Sequence, residues 1–363
     1  YRGKDKTGAK AGNINYTLRN YATGDICVIL DPDHEPVPEF LDRTLPYFDD
    51  PKVGYVQCIQ GYSNASESLV AKGAAEQTYL FYGPMMMGMH RRGTVQAIGA
   101  NCTFRRAALD SIGGHASGLC EDMHTSMQLH AKKWTSVYVP ELLTRGLVPS
   151  SLSAFYKQQL KWSRGSFELL FEVLPKLFGR FNWQQRIHYL LTPLYFFSGF
   201  IVLIDLGVPI ASLVSSEVPL FISFTEFLLH GLPVMLSATV IRHYAQHFLL
   251  EQREKGFHII GSILRMGTWW IYLVGMVYAI FRIKVPYIPT PKESEGGNEW
   301  KICVPNLLVI AMSIAAAGYG LYRDWTPFAW LMAGFGGHNP LLVGAGVLNG
   351  QQRRIAQMVR SKF

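Results

Sequence analysis

Asp25-Ile26-Cys27-Val28-Ile29-Leu30-Asp31-Pro32-Asp33-His34 is the stretch on which the fold class turns. Its apolar, β-branched centre is bounded by Gly24 in front and stopped by Pro32 behind, so Asp25 to Leu30 reads as a buried strand. That strand delivers Asp31 and Asp33, with His34 beside them, to its carboxyl end. Val53 to Ile59, after the turn Asp49-Asp50-Pro51, and Ser136 to Val139, after a helical stretch from about Asp122 to Lys133, repeat the strand pattern. Strands alternating with helices predict an α/β sheet, whose ligands sit in a crevice outside the carboxyl ends of the strands.

Outward from this core the composition divides the chain. Of 363 residues 49% are hydrophobic and 17% charged. That charged share lies below the roughly 25% of soluble domains, and the apolar content excludes a disordered, collagen-like or disulfide-stapled chain. Residues 1–180 carry charges throughout, whereas 187–241 contain no Lys or Arg and only Asp205, Glu217 and Glu226 as acids. The net charge of +8 comes without a long basic run. Lys and Arg gather beside the apolar segments, as anchors at a cytoplasmic leaflet do, which argues against nucleic acid as a partner. The cysteines Cys27, Cys58, Cys102, Cys120 and Cys303 are odd in number and form no C-x-x-C pair. Neither a disulfide framework nor a zinc cage is expected, and a reducing compartment is. The chain opens on Tyr1-Arg2-Gly3-Lys4, in what reads as a running loop, so its start is expected to be a cut.

Four apolar segments are long enough to span a bilayer, at 187–214, 219–241, 304–322 and 326–349, the last weakened by His338, Asn339 and Pro340. A fifth, 263–281, carries Trp269, Trp270 and Tyr272. If it also crossed, Arg282, Lys284, Lys292 and Lys301, and the tail with Arg353, Arg354, Arg360 and Lys362, would fall outside, against the positive-inside rule. It is therefore expected at the interface or buried against other helices. Ser151 to Leu177 has a helical period, with Lys157, Lys161 and Arg164 among apolar residues, and suits a helix lying along the membrane surface.

Five motifs offer chemistry. Asp31 and Asp33 repel unless a hard cation sits between them, which suits a metal–nucleotide-diphosphate site; the alternative is an Asx-type turn capping the next helix. Lys10-Ala11-Gly12-Asn13-Ile14-Asn15 places a cation, a permissive Gly and two amides just before a helix, where phosphate or base could be cradled. Cys120-Glu121-Asp122 opens a helix, so its acids either partner the helix dipole or supply one general base. Gln158-Gln159-Leu160-Lys161-Trp162 puts amide and indole on one helical face, a sugar platform or an interfacial Trp with a snorkelling Lys. Tyr287-Ile288-Pro289-Thr290-Pro291-Lys292, followed by Glu293 to Asn298, has the stiff start and Gly-freed end of a hinged lid, or is a plain connector.

In this order, and followed by membrane segments, the motifs resemble the membrane-embedded processive family 2 glycosyltransferases, among them bacterial cellulose synthase catalytic subunits. The matching stretches are Lys10–Asn15, Asp31–Pro36, Arg105–Gly114, Glu121–His130, Ser136–Glu141, Gln158–Gly165 and Tyr287–Lys292. The resemblance implies an α/β GT-A type (Rossmann-like) domain, N-terminally truncated, followed by an α-helical transmembrane region. It divides the chain into a cytoplasmic domain at 1–150, interfacial helices with the Q-x-x-K-W motif at 151–186, and a channel region at 187–352 with a gating loop at 285–300. A basic cytoplasmic tail follows at 353–363. By the same resemblance Asp31 and Asp33 meet a metal-bound nucleotide, with His34 as a further ligand of Mg²⁺ or Mn²⁺, and Lys10 and Asn13 lie near the nucleotide. Asp122 is then the base, Gln158 and Trp162 bind acceptor sugar, Lys161 meets the pyrophosphate, and Thr290 and Lys292 close over the nucleotide. The implied function is processive, inverting synthesis of a β-glucan from UDP-glucose, with the chain passed through the inner membrane. Implied partners are the UDP-sugar, the growing polysaccharide, the lipid bilayer and accessory secretion subunits. The enzymatic alternative is a mannan, mixed-linkage glucan or chitin-type synthase using another sugar nucleotide; the non-enzymatic one is a transporter or scaffold. Cys120 stands where the family has Thr, Lys161 where it has Arg, and Ala97-Ile98-Gly99-Ala100-Asn101 where cellulose synthases carry a Phe-Phe-Cys-Gly-Ser-like motif. The family's earlier nucleotide-binding Asp is absent, so this length of chain alone is expected to be inactive.

Overall fold

A computed structural model describes residues 9–217, 224–285 and 299–351. Helix α1 (Ala9–Asn20) precedes strand β1 (Ile26–Ile29). The remaining strands are β2 (Glu35–Pro36), β3 (Val53–Cys58), β4 (Gly61–Tyr62), β5 (Cys102–Arg105), β6 (Thr135–Val139) and β7 (Thr144–Gly146). The main sheet has the order β1-β5-β3-β6, with β5 antiparallel to both of its neighbours and β6 parallel to β3. A smaller sheet, β2-β7-β4, flanks it. All of β3 is buried, because one face meets the cluster of Tyr55, Phe104, Leu109, Leu129 and Tyr138 and the other meets Phe40, Val56, Cys58, Val137 and Leu143. A strand covered on both faces reads as a continuous apolar run, which is why it shows in the sequence.

The helices that matter for the site are α2 (Leu69–Glu76), α3 (Glu121–Ala131) and α4 (Leu152–Glu168). Ser151 caps α4 by accepting from the Ala154 amide at 3.3 Å. Buried residues on α4 run from Leu152 through Gln159 to Ser163, Arg164, Gly165 and Phe167, so it is enclosed on several sides.

Beyond α4 follow α5 (Trp183–Leu191), α6 (Ser198–Ser215), α7 (Phe224–Ala245), α8 (Ile259–Gly267), α9 (Trp269–Ile280), α10 (Val304–Arg323) and α11 (Pro327–Gly350). Three helical runs among the described residues are long and apolar enough to cross a membrane: Trp183–Ser215, Trp300–Arg323 and Pro327–Gly350. They cover the expected segments at 187–214, 304–322 and 326–349. Of the segment 219–241, residues 219–223 lie outside the described residues; the remainder lies in α7, whose Leu229, Val234, Met235 and Ile241 are exposed. The segment 263–281 is divided between α8 and α9, which meet at 49°. Alone, the 12 residues of α9 extend about 18 Å, short of the ~30 Å hydrocarbon core, but α8 and α9 together are long and apolar enough for one broken span or a re-entrant loop, and α9 buries Trp269, Ile271, Tyr272, Gly275 and Ala279. Helix α2 fastens the sheet domain to α8, where the Gly261 amide donates to Glu76 Oε2 at 2.7 Å.

Two local expectations need correction. The run Asp25 to Leu30 is not a buried strand: β1 lies at the edge of the described sheet and pairs on one side with β5, so Ile29 is buried while Val28 is exposed. Lys10 to Asn15 do not precede a helix but lie inside α1, because Ala9, Ala11 and the residues that follow propagate the helix across Gly12. The lysine therefore reaches the sheet from a helical turn. The tail 353–363 and most of the 285–300 segment, including Thr290 and Lys292, lie outside the described residues.

Candidate active site

Asp31, Asp33 and His34 sit where β1 ends, and each offers a ligand atom within 4.8 Å of the others. From α1, Lys10 Nζ donates to Asp31 Oδ1 at 2.6 Å and also to the Gly99 carbonyl. Burial alone would lower the Lys10 pKa, but Asp122 and Asp31 outweigh it and raise the value. Asp33 is oriented from the residue just past β7: its Oδ2 accepts from the Leu147 amide at 3.1 Å. His34 Nδ1 lies 3.4 Å from Asp33 Oδ1, and Gln60 Nε2 lies 2.7 Å from His34 Nε2. Enclosed His34 Nδ1 makes no hydrogen bond. Two carboxylates and an enclosed, unsatisfied imidazole nitrogen are a donor set that fits a divalent cation.

The second half of the site begins at the first turn of α3. Glu121 and Asp122 are adjacent, and the structure separates their surroundings. Glu121 is 4% exposed, and burial, then Asp122, pushes its carboxyl up to about 7. The Asp122 side chain keeps 19% exposure while its Oδ1 is enclosed without a hydrogen-bond partner. Burial also raises the Asp122 pKa, against the opposing pull of Lys10. Only Asp122 keeps access to the crevice while lying within the field of Lys10, Asp31 and Lys161. Gly99 makes this possible. It has a φ of +85°, and a Cβ there would run into the Asp122 carboxyl.

Helix α4 closes the site. Cys120 Sγ donates to the Trp162 carbonyl at 3.6 Å, and Gly165 lets α4 approach close enough that a Cβ would meet that sulfur. Burial pushes the Cys120 thiol up to about 12. Lys161 acts electrostatically on both Glu121 and Asp122, so its ammonium is on the acidic side of α4. Gln158, Lys161 and Trp162 are all half-buried, and Trp162 packs against the cluster of Phe167, Phe196, Tyr272 and Ala279. The amide most firmly held on this helix is Gln159, whose Oε1 accepts from the Tyr272 hydroxyl at 3.2 Å. Asn13 is exposed on α1.

The structure thus joins Lys10, Asp31, Asp33, His34, Asp122 and Lys161 into one electrostatic neighbourhood. Sequence reasoning missed Gly99, Gln60 and His115. His115 Nε2 is 3.5 Å from Asp122 Oδ1. Its one sequence signal was Gly113-Gly114, a turn that marks a close backbone approach.

A carboxylate turn at a strand end, a lysine pairing with it and a second acid at a helix start meet in one α/β crevice, in a chain that continues into membrane-type helices. Residues 26–283 match the model of glycosyl transferase family group 2, and the chain belongs to that family, with a GT-A domain. It is 27% identical over 330 residues to a UDP-forming cellulose synthase of Pseudomonas fluorescens strain SBW25, the catalytic polypeptide, covering 87% of this chain and 43% of that protein. It is 34% identical over 206 residues to a UDP-forming cellulose synthase of Dictyostelium discoideum, again the catalytic polypeptide, covering 52% of this chain and 19% of that one. A solved mannosyltransferase of Pyrobaculum calidifontis, in complex with GDP-mannose and Mn²⁺, is 15% identical, with a TM-score of 0.41 over 76% of this chain and 67% of the other. The chain spans less than half the length of these curated relatives.

Proposed function

We propose that the protein polymerises a β-linked glucan from UDP-glucose, processively and with inversion, and passes the product across the inner membrane from a cytoplasmic catalytic domain. The observation that carries this reading is the placement of Asp122: an acid that keeps access to the crevice within the field of Lys10 and Asp31, two residues from Cys120, through which α3 meets α4, itself packed on the apolar helix α9. Sequence similarity to UDP-forming cellulose synthases supports the choice of donor.

In this mechanism an acceptor hydroxyl gives its proton to Asp122 while its oxygen forms a bond to the anomeric carbon. The bond from that carbon to the diphosphate breaks, and the electron pair leaves with the nucleotide. One displacement from the opposite face inverts the configuration. Lys10 and Lys161 stabilise the charge that develops on the leaving diphosphate. Asp31 and Asp33, with His34, would hold Mg²⁺ or Mn²⁺, which supplies Lewis-acid stabilisation of the same charge. Gln158 and Trp162 bind the acceptor sugar, Asn13 lies near the nucleotide, and Thr290 and Lys292 close over it. The acceptor is the growing polysaccharide, the surrounding phase is the lipid bilayer, and accessory secretion subunits receive the product. Residues 1–150 act as the catalytic domain, 151–186 as the acceptor platform and 187–352 as the membrane path, with the 353–363 tail on the cytoplasmic side.

The test uses full-length protein in membrane vesicles with radiolabelled UDP-glucose and Mg²⁺ or Mn²⁺, followed by linkage-specific glycanases. A cellulase-sensitive polymer that disappears with chelator is expected. Asp122→Asn should abolish polymer while UDP still binds. Polymer from another sugar nucleotide replaces the product, and a substitution at Asp122 that leaves transfer intact overturns the base assignment.

A further inference from the structure

His115 is buried behind the candidate base and has no part in the mechanism above. Its backbone is clamped: Asn15 Nδ2 donates to the His115 carbonyl at 2.8 Å, and the His115 amide donates to Asn15 Oδ1 at 2.7 Å. Gly114, with a φ of +107°, lets that amide come close. Around the ring, Nδ1 lies 3.2 Å from the Ala116 carbonyl and 3.3 Å from Thr125 Oγ1.

The tautomer follows from the neighbours. A backbone carbonyl can only accept, and the Thr125 hydroxyl already donates to the Glu121 carbonyl at 2.7 Å while accepting from the Ala116 amide at 2.9 Å. Neither group gives Nδ1 a proton, so Nδ1 is the protonated nitrogen. The lone pair is then on Nε2, which points at Asp122 Oδ1 across 3.5 Å. That oxygen is enclosed and without a hydrogen-bond partner. A bare carboxylate oxygen facing a bare nitrogen lone pair is unfavourable, and one proton between them relieves both.

We infer that His115 is a positioning residue that shares the proton taken up by Asp122, so that base and imidazole work as a dyad. As the acceptor's O–H bond breaks, the proton goes to the Asp122 carboxyl, which then hydrogen-bonds to Nε2 or passes the proton to it. The dyad gains one proton and returns it to water at the end of each cycle. Burial holds the His115 pKa low and the Asp122 pKa high, which agrees with a single shared proton. The charged and titratable groups facing the dyad are Lys10 from α1, Asp31 from the end of β1, Lys161 from α4, Glu121 and His124 from α3, Cys120 just before it, Cys102 from β5, and Tyr82. None of them lies between the two atoms.

This inference rests on Asp122 being the base, and the experiment separates the two. In membrane vesicles with full-length protein and UDP-glucose, initial rates are taken across pH 5–9 for wild type, His115→Phe, His115→Gln and Asp122→Asn, with UDP affinity measured alongside. His115→Phe fills the space without the nitrogen. It should lower kcat about tenfold or more, leave the KM for donor unchanged, and move the acid limb of the profile to lower pH, because Asp122 alone binds its proton less tightly than the pair. His115→Gln, which donates to a carboxylate but takes no proton, should recover part of the rate and keep the moved limb. Wild-type rate and limb in both His115 variants, with Asp122→Asn inactive, would overturn the dyad and leave the base standing. Transfer by Asp122→Asn would remove both.

Discussion

Gly99→Ala is the sharpest probe of where the base sits, because the structure supplies its own control. Gly99 and Gly113 have almost the same positive φ, +85° and +84°. A Cβ at Gly113 meets nothing within 4 Å, whereas at Gly99 it would lie 2.7 Å from Asp122 Cγ and 3.1 Å from Oδ1. An L side chain in this conformation costs about 1–2 kcal/mol. Overpacking adds about 1–3 kcal/mol, so Gly99→Ala should destabilise by about 2–5 and Gly113→Ala by about 1–2 kcal/mol. The Asp122 carboxyl must also give way, and a displacement of about 1 Å at a reacting group costs about 10²-fold in rate. Per folded molecule, Gly113→Ala should then transfer sugar like wild type, while Gly99→Ala should lose about 10²-fold and still bind UDP. The assay is radiolabelled polymer formed per UDP-binding site in vesicles, with stability read from denaturant unfolding in detergent. Equal transfer rates in the two variants would refute the placement of Asp122 as the reacting group.

The burial of Glu121 makes a stability prediction with a definite sign. Its folded pKa, about 7, stands above the reference of 4.5, so the folded state holds the proton more tightly and this contribution is lost as pH rises through that window. Glu121→Gln should therefore gain on wild type by about 1.4 kcal/mol per pH unit between those values in denaturant unfolding, and a pH-independent difference would count against it. At the proposed metal site, Asp33→Asn keeps an oxygen for the Leu147 amide but removes a charge, so the fold should hold while Mn²⁺-dependent UDP binding weakens about tenfold or more. Calorimetric titration with and without Mn²⁺ reads this directly, and unchanged metal dependence would exclude Asp33 as a ligand.

How much of this could be read from the chain depends on the range of each signal. The β1 strand and its acidic turn were legible because an apolar, β-branched run stopped by Pro32 is a local pattern. Strand β5 was not, since Cys102-Thr103-Phe104-Arg105 is only four residues long and follows an irregular stretch. Its central position in the sheet is set by pairing with β1 and β3 rather than by its own periodicity. The α1 lysine was found, but as a loop residue, because Gly12 resembles a breaker, whereas its helix-forming neighbours carry the helix through it and buried Ala11 and Leu18 pack it on the sheet. Which of Glu121 and Asp122 faces the crevice could not come from sequence: adjacent positions on a helix differ by about 100°, and the phase is fixed by Gly99 and by α4. His115 carries no periodic signal at all, because its partners Asn15 and Asp122 belong to α1 and α3.

Helix α4 explains why a site so rich in acids stands beside apolar helices. Ser163 and Gly165 are two positions apart, so they face nearly opposite sides of the helix. On one side Gly165 admits Cys120 and with it the first turn of α3; on the other Ser163 fits against Gly275 of α9, where a Cβ would meet the Arg164 amide at 3.0 Å. Small residues at both contacts bring three backbones together, as they do between membrane helices. Between them Arg164 reaches past α9 to donate to the Ile283 carbonyl at 3.1 Å, and Glu172 pairs with Arg282 at 3.0 Å. The first turn of α3 with Asp122, the Trp162 indole and the chain leaving α9 are thus all referenced to α4. The processive transfer proposed above needs that common reference, because each step must leave the new chain end where the next donor will arrive, and a base carried on a separate loop would not hold its distance to the proposed membrane path.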